Sequence, residues 1–319
     1  KNTFWAKKGF EIAKEQLLVK EKTSINKFSS SSKLKLQVVN NTSEVHVSGR
    51  KYSAKVSKET GELISFIKKG KEQILSSLKP NFFRPPIDND LRGASSRDFR
   101  NTRKYWEFLN DKLETKSVKV VSDKNNEATV LIEKSYKDEV NLKISYRFLS
   151  DGRIIVKMNL DAKESLPSLV KFGVSLGVSK TFNKTTFYGK GPWESYIDRK
   201  RGTEVDEFTF KTDDLFTNYV FPQENGNRSD VRWLQLSDIG KNTLKIEGSP
   251  KFGFSVWPYS PENIQKAKHP FDLKEQGFYT LNIHLTQMSV NGTLSETLPK
   301  YVIPSGKYNF EFVLNSLEN

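Results

Sequence analysis

The sequence predicts an all-β protein, a large antiparallel β-sandwich with one or two short helices. Three observations carry this. Side-chain character alternates with a period of two, most clearly in Val140, Leu142, Ile144, Tyr146 and Phe148 and then in Ile154, Val156, Met158 and Leu160. Ser150-Asp151-Gly152 between these runs is hairpin-turn chemistry, because Asp and Gly tolerate positive φ. An apolar content of 35%, with 22 Phe, 11 Tyr and 5 Trp, supplies a substantial core of strand-favouring side chains.

Taken in order, residues 1–20 read as one or two short strands with apolar Phe10, Ile12 and Leu17. Lys20 to Lys33, around Phe28-Ser29-Ser30-Ser31-Ser32, has the composition of a linker. The chain therefore divides into 1–20, a linker with an entry strand over 21–44, and one large domain over 45–319. From Leu34 the alternation takes hold: Leu34, Leu36 and Val38, then Tyr52, Ala54 and Val56 between Lys51, Ser53 and Lys55, ahead of a turn at Glu59-Thr60-Gly61-Glu62. Val170, Phe172, Val174 and Leu176 continue it, and Tyr308, Phe310, Phe312 and Leu314 close it. One face of each strand is apolar and the other polar, as antiparallel sandwiches require. A helix is predicted over Ser95 to Leu113, where Phe99, Trp106, Leu109 and Leu113 share a face and Ser95 or Ser96 can cap. A second, short helix opens at Ser260-Pro261-Glu262, with Ser as N-cap and Pro in the first turn.

Composition removes several function classes. There is no Cys, so neither disulfides nor thiolate chemistry arise, and three scattered His do not make a histidine-rich metal site. The net charge of +14 comes mostly from Lys spread over strand faces and interleaved with Asp and Glu. That is a solvated surface and not a nucleic-acid footprint, since neither a recognition helix nor an RNA-binding signature is present. No run approaches the ~18 apolar residues of a membrane span. The opening at Lys1, without Met or an apolar leader, is expected of a piece of something longer. The compartment is left open.

The most specific stretches are Phe187-Tyr188-Gly189-Lys190-Gly191-Pro192-Trp193-Glu194-Ser195-Tyr196 and Asn218-Tyr219-Val220-Phe221-Pro222-Gln223-Glu224-Asn225-Gly226-Asn227-Arg228. Gly and Pro among aromatics interrupt a sheet where a loop is shaped or a strand turns a corner. With Asn81-Phe82-Phe83-Arg84-Pro85-Pro86-Ile87-Asp88-Asn89-Asp90 upstream, the three blocks in this order resemble the carboxy-terminal "small chain" domain of large bacterial β-galactosidases of glycoside hydrolase family 2. The resemblance covers roughly residues 45–319 and implies a β-sandwich of the galactose-mutarotase-like supersandwich kind. Phe4 to Gln16 resembles the end of the immunoglobulin-like domain that precedes it in such enzymes.

A retaining glycosidase needs two carboxylates about 5 Å apart. In the family both lie on a (β/α)8 barrel, and alternating strand and helix units never occur here. The resemblance thus implies no catalytic residue in this chain. It implies a supporting role, with partners in the catalytic barrel of the same parent chain and a β-galactoside sugar, and a possible homo-oligomer. No cofactor is implied for the segment itself, although the full-length family often uses Mg2+ and Na+.

In relatives a Trp that stacks on the sugar precedes a Leu-Asn-Ile-Asp-like strand. Here Leu281-Asn282-Ile283-His284 places Thr280 at that position with Tyr279 beside it, so either Tyr279 is the platform or no such stack forms. The turn Ser289-Val290-Asn291-Gly292-Thr293-Leu294-Ser295 lacks the family's Trp. Trp193, Trp233 and Trp257 are alternative platforms by virtue of their ring faces. Glu194, Arg199 and Gln223-Glu224-Asn225 resemble a polar set lining the cleft, although such groups often serve only backbone hydrogen bonds. The expected carbohydrate-binding residues are therefore Tyr279, Thr280, Trp193, Glu194 and Asn225. Asp88-Asn89-Asp90 has hard-cation oxygens but is also turn chemistry, and His269 is expected to be structural. Two other classes stay open. A free-standing mutarotase or epimerase needs a His acid and a carboxylate base in one cleft, and a carbohydrate-binding module needs only the cleft. An exposed apolar patch is expected near Phe83, Pro85, Pro86 and the segment Phe4 to Phe10.

Overall fold

A computed structural model describes residues 1–19, 34–50, 52–92, 96–124, 126–290 and 297–318. Its strands are β1 (Gln37–Asn40), β2 (Glu44–Gly49), β3 (Tyr52–Ser57), β4 (Leu63–Lys68), β5 (Lys71–Glu72), β6 (Ser76–Asn81), β7 (Glu114–Lys124), β8 (Glu127–Tyr136), β9 (Val140–Leu149), β10 (Ile154–Ala162), β11 (Lys171–Ser179), β12 (Lys184–Gly191), β13 (Glu204–Lys211), β14 (Arg228–Ser237), β15 (Asn242–Trp257), β16 (Phe278–Gln287) and β17 (Lys307–Glu318). The α-helices are α1 (Asp88–Arg92), α2 (Ser96–Lys112) and α3 (Pro261–Lys266). The fold is the predicted all-β supersandwich.

Every registered strand pair is antiparallel. Strands β1 to β4 form a meander, and β6 leaves it at Leu78 to pair with β11. A second run follows the order β7-β8-β9-β10-β17-β15-β14-β12-β13. The 16-residue β15 joins the layers, because its first half pairs with β17 and its second half, Gly253 to Trp257, pairs with β16. The alternation read from the sequence is the cause of the core. Phe172, Val174, Leu176, Leu281, Ile283, Phe252 and Phe254 are buried on one face of β11, β16 and β15. The other face carries Gly173, Ser175, Asn282, His284, Gly253, Ser255 and Trp257, and this polar face of the sheet is the one on which the site is built.

Helix α2 packs through fully buried Trp106 and Leu109. Trp106 stacks on Phe82 at 5.7 Å, and its indole N–H donates to the Ser168 carbonyl at 2.9 Å. Ser95 and the side chain of Phe99 lie outside the described residues, as do Lys51 and the Phe28 to Ser32 linker. Helix α3 is capped as predicted, Ser260 Oγ accepting the Asn263 amide at 3.1 Å. The hairpin turn places Gly152 at φ 90°.

Three expectations need correction. Residues 1–19 contain no strand; the segment runs along the edge of β13, where the Gln16 amide donates to Val205 O at 2.9 Å and accepts Val205 N–H at 2.7 Å. Of the expected apolar patch only the amino-terminal part exists: Phe4, Trp5 and Phe10 are exposed, whereas Phe83, Pro85 and Pro86 are buried. The reason is Arg84, whose guanidinium is drawn fully inside by Asp90 and so pulls the loop inward. Asp88-Asn89-Asp90 opens the short helix α1 and is not a free turn. No helix among the described residues is long and apolar enough to cross a membrane.

Candidate functional site

The two aromatic and glycine-rich blocks meet over the polar face of β11, β16 and β15. Glu194 is the clamp. Its Oε1 accepts Arg199 Nη2 at 2.9 Å and the Tyr219 hydroxyl, while Oε2 accepts the Gly226 amide at 2.8 Å and Thr217 Oγ1 at 3.4 Å. Gly226 sits at φ 72°, and a Cβ there would meet Leu215 O at 2.4 Å, so only glycine presents its amide this way. Asn225 continues the join: Oδ1 accepts Thr217 N–H at 2.8 Å, Nδ2 donates to Gln223 O at 2.8 Å, and the Asn225 carbonyl accepts the Trp257 indole N–H at 3.0 Å.

Beneath this clamp lies a charged interior. Arg84 donates to Asp90 Oδ2 at 2.7 Å and to the Ser289 carbonyl at 2.9 Å, and Asp90 also accepts the Ile87 amide. Glu224, 2% exposed, accepts Gln287 Nε2 at 2.9 Å through Oε1. Burial pushes its carboxyl above the usual range, against the opposing pull of Lys171 and Arg84. Lys171 is fully buried, and burial holds its ammonium down at about 8; the head group lies 5.8 Å from the centre of the Trp257 ring. His284 occupies the space that Gly253 leaves, for a Cβ on Gly253 would come within 2.3 Å of Nε2. Burial, aided by Lys171, drives its pKa far down, so the imidazole is neutral. Across the middle of the face runs a polar relay in which Asn81 Nδ2 donates to Asn282 Oδ1 at 3.1 Å and Asn282 Nδ2 to Ser255 Oγ at 3.2 Å.

Three cavities open on this region. The largest, about 640 Å³, is walled by Trp193, Glu194, Asp198, Arg199, Arg201 and Tyr301. A second, about 300 Å³, lies between α1 and the clamp and is walled by Asp88, Tyr196, Arg199, Tyr219, Gln223 and Glu224. A third, about 130 Å³, lies at the other end of the face against Asn81, Ser175, Gln276 and Thr280. None of these cavities is lined by a histidine.

Trp193, 71% exposed, and Glu194 line the largest cavity together, whereas Asn225 is buried, lines none of the three cavities and is linked to Glu194 through their shared partner Thr217. Tyr279 and Thr280 are not part of this cluster. They begin β16, while Gln287, which holds Glu224, ends it. Tyr279 is 3% exposed on the core face, with its hydroxyl donating to Asp213 Oδ1 at 2.7 Å, so neither ring face is open for a sugar. Thr280 lines only the small cavity. Trp257 is fully buried, Trp233 is half-buried under Lys245, and His269 is an exposed residue stacked on Phe271. Lys171 and Gln287 went unrecognised in the sequence, where Tyr196 stands only as the end of a motif and His284 only as a strand residue and a candidate epimerase acid; the available signal was a Lys, a His and a Gln on polar positions of otherwise core strands. Asn291 to Ser295 of the family's turn lie outside the described residues.

Asp88-Asn89-Asp90 does not fit a cation, because Asp90 is committed to Arg84 and Asn89 Nδ2 donates to Val290 O. Among the described residues no three His, Cys, Asp or Glu side chains gather as a metal would need.

A match to the family described as beta galactosidase small chain runs over residues 48–314. The chain belongs to that family. Over 322 residues it is 28% identical to a β-galactosidase of Priestia megaterium, covering 99% of this chain and 31% of that protein. A β-galactosidase of Streptococcus thermophilus is 30% identical over 292 residues, or 91% of the chain and 28% of its own length. The small chain thus spans about 31% of the length of the first of these relatives. Among solved structures, a galactose 1-epimerase from Lactobacillus acidophilus NCFM superposes with TM-score 0.50 over 90% of this chain and 99% of its own, at 10% identity. That likeness concerns the fold alone.

Proposed function

We propose that this small chain is a non-catalytic carboxy-terminal part of a β-galactosidase that hydrolyses terminal β-galactosides. In that enzyme it completes the substrate pocket, contributes carbohydrate contacts and holds the assembly together. The family match over residues 48–314, in relatives about three times as long, carries this reading. Its partners are the catalytic barrel of the same parent chain, a β-galactoside and, in the assembled enzyme, further copies of itself. Residues 1–20 belong on this reading to the end of a preceding immunoglobulin-like domain, joined through 21–44 to the sandwich over 45–319. Mg2+ and Na+, where the parent uses them, bind outside this part.

The chemistry of the site supports a binding role. The Glu194 carboxylate is occupied by four donors and cannot turn to attack a sugar. Trp193 offers an exposed ring beside the Glu194–Arg199 pair, the mixture of apolar face and directed hydrogen bonds that sugars use. Asn225 holds the loop behind that surface. An epimerase reading is disfavoured, because His284 is sealed over Gly253 and lines none of the three cavities.

The test is a segment exchange. Replacing the matched part of the Streptococcus thermophilus β-galactosidase by this chain is expected to retain hydrolysis that deletion of the same part abolishes. A soluble, folded exchange protein as inactive as the deletion would count against the assignment.

A further inference from the structure

We infer that the cavity between α1 and the Tyr196–Glu224 wall is a second binding site, one that takes a single neutral, pyranose-sized polyhydroxyl molecule. At about 300 Å³ it lies at the lower limit of small-ligand pockets. Buried polar atoms are nearly always hydrogen-bonded. Yet Glu224 Oε2, on a residue 2% exposed that lines this cavity, has no hydrogen-bond partner among the described residues, and Tyr196 Oη, on a second such residue, is approached by the Asn227 backbone without adequate hydrogen-bond geometry. Gln287 Oε1, on the side chain that holds Glu224, is left in the same state. One strong acceptor and one hydroxyl able to donate or accept are therefore presented at the wall of a space large enough for a ligand.

Charge selects the class. Arg199 is paired with Glu194, Arg84 with Asp90, and Glu224 faces Lys171, so among the described residues the Asp88 carboxylate is the one wall charge not set against an opposite one. A phosphate finds no counter-charge and a cation finds a single carboxylate where a bound metal needs several oxygen ligands, whereas a hydroxylated ring finds Glu224, Tyr196 and Gln223, with the Tyr196 and Tyr219 rings as apolar wall. Access is from the side of Arg199, whose side chain is 53% exposed. The site is made wholly by this chain, and the inference stands whether or not the parent is a β-galactosidase.

Isothermal titration of the intact chain with D-galactose, D-glucose and myo-inositol, with sodium phosphate as the ionic control, tests it. Saturable millimolar binding of at least one neutral probe is expected. Tyr196→Phe should weaken that binding about tenfold, the effect of one lost hydrogen bond, and Glu224→Gln by a similar factor. Phe271→Ala, at an exposed residue outside the site, should leave it unchanged, and phosphate should not compete. The variants' thermal melts establish that they are folded, and Gln223→Ala substitutes for any that is not. No saturable binding by any neutral probe would mean that the cavity holds only water, and competition by phosphate would mean an ion site. Loss in Trp193→Ala with Tyr196→Phe unaffected would move the sugar to the outer surface. Each of these three results overturns the inference.

Discussion

The Glu194 carboxylate and the Gly226 amide, 32 residues apart in sequence, meet at 2.8 Å and fasten the two glycine- and aromatic-rich blocks to each other. Their join shapes both larger cavities, since Glu194 lines each of them. Glu194→Ala strands the Tyr219 hydroxyl, the Gly226 amide and Arg199 at once, which is expected to cost about 3 kcal/mol. Glu194→Gln keeps an acceptor and should cost less. Urea unfolding of the two variants checks the order, and equal losses would show that the clamp is not what holds the loops.

Gly253 and His284 form the tightest fit on the polar face. A Cβ on Gly253 would come within 2.3 Å of the imidazole, and Gly173 on the neighbouring strand leaves no room for the ring to back away, its own missing Cβ lying 2.5 Å from His284 Cα. Gly253→Ala is expected to destabilise by about 2 kcal/mol through overpacking. Combining it with His284→Ser should recover most of that loss, because the two changes share one volume. A double variant whose loss is the sum of the single ones would refute the steric account.

The fold was legible from period-two alternation, because β9, β10 and β17 are half-buried strands whose pattern is their burial, while β11 keeps the alternation although both its faces are covered. The helix from Ser96 was legible from Trp106 and Leu109, and α3 from Ser260 and Pro261. The amino-terminal segment misled for a physical reason: its apolar residues look like strand positions, yet among the described residues Phe4 and Ile12 stay exposed and Phe10 meets the Trp5 ring instead of a core. Of the site, Glu194 and Asn225 could be found because Gly and Pro mark the shaped loops around them. Lys171 and Gln287 could not, because one polar residue on a strand normally faces water, and only tertiary packing covers this face.

Lys171 makes stability depend on alkaline pH. Burial lowers its pKa from 10.5 to about 8, so the unfolded chain holds the proton more tightly than the folded one. The penalty is therefore complete below the folded value and is relieved as pH rises from 8 towards 10.5. At roughly 1.4 kcal/mol per unit the relief is on the order of 3 kcal/mol. Guanidinium midpoints of wild type and Lys171→Met at neutral and alkaline pH should show that this rise is specific to the wild type. Parallel profiles would mean that Lys171 does not titrate in that window.

Tyr279 is a core residue with one polar tether. Tyr279→Phe removes only the bond to Asp213 and should cost about 1 kcal/mol, whereas Tyr279→Ala should cost about 3–5 kcal/mol by emptying its place in the core. Calorimetric melts distinguish the two. A Tyr279→Ala loss no greater than that of Tyr279→Phe would mean that the ring is exposed in solution and free to stack on a sugar.

The most direct test of a supporting, non-catalytic role is hydrolysis of a chromogenic β-galactoside by the purified chain at high concentration, with the segment-exchange enzyme as positive control. No release of chromophore above the buffer rate is predicted for the chain alone, alongside turnover by the exchange enzyme. Turnover by the isolated chain that disappears on replacing Glu224 or Glu194 would contradict the reading and identify a catalytic carboxylate pair in the cleft.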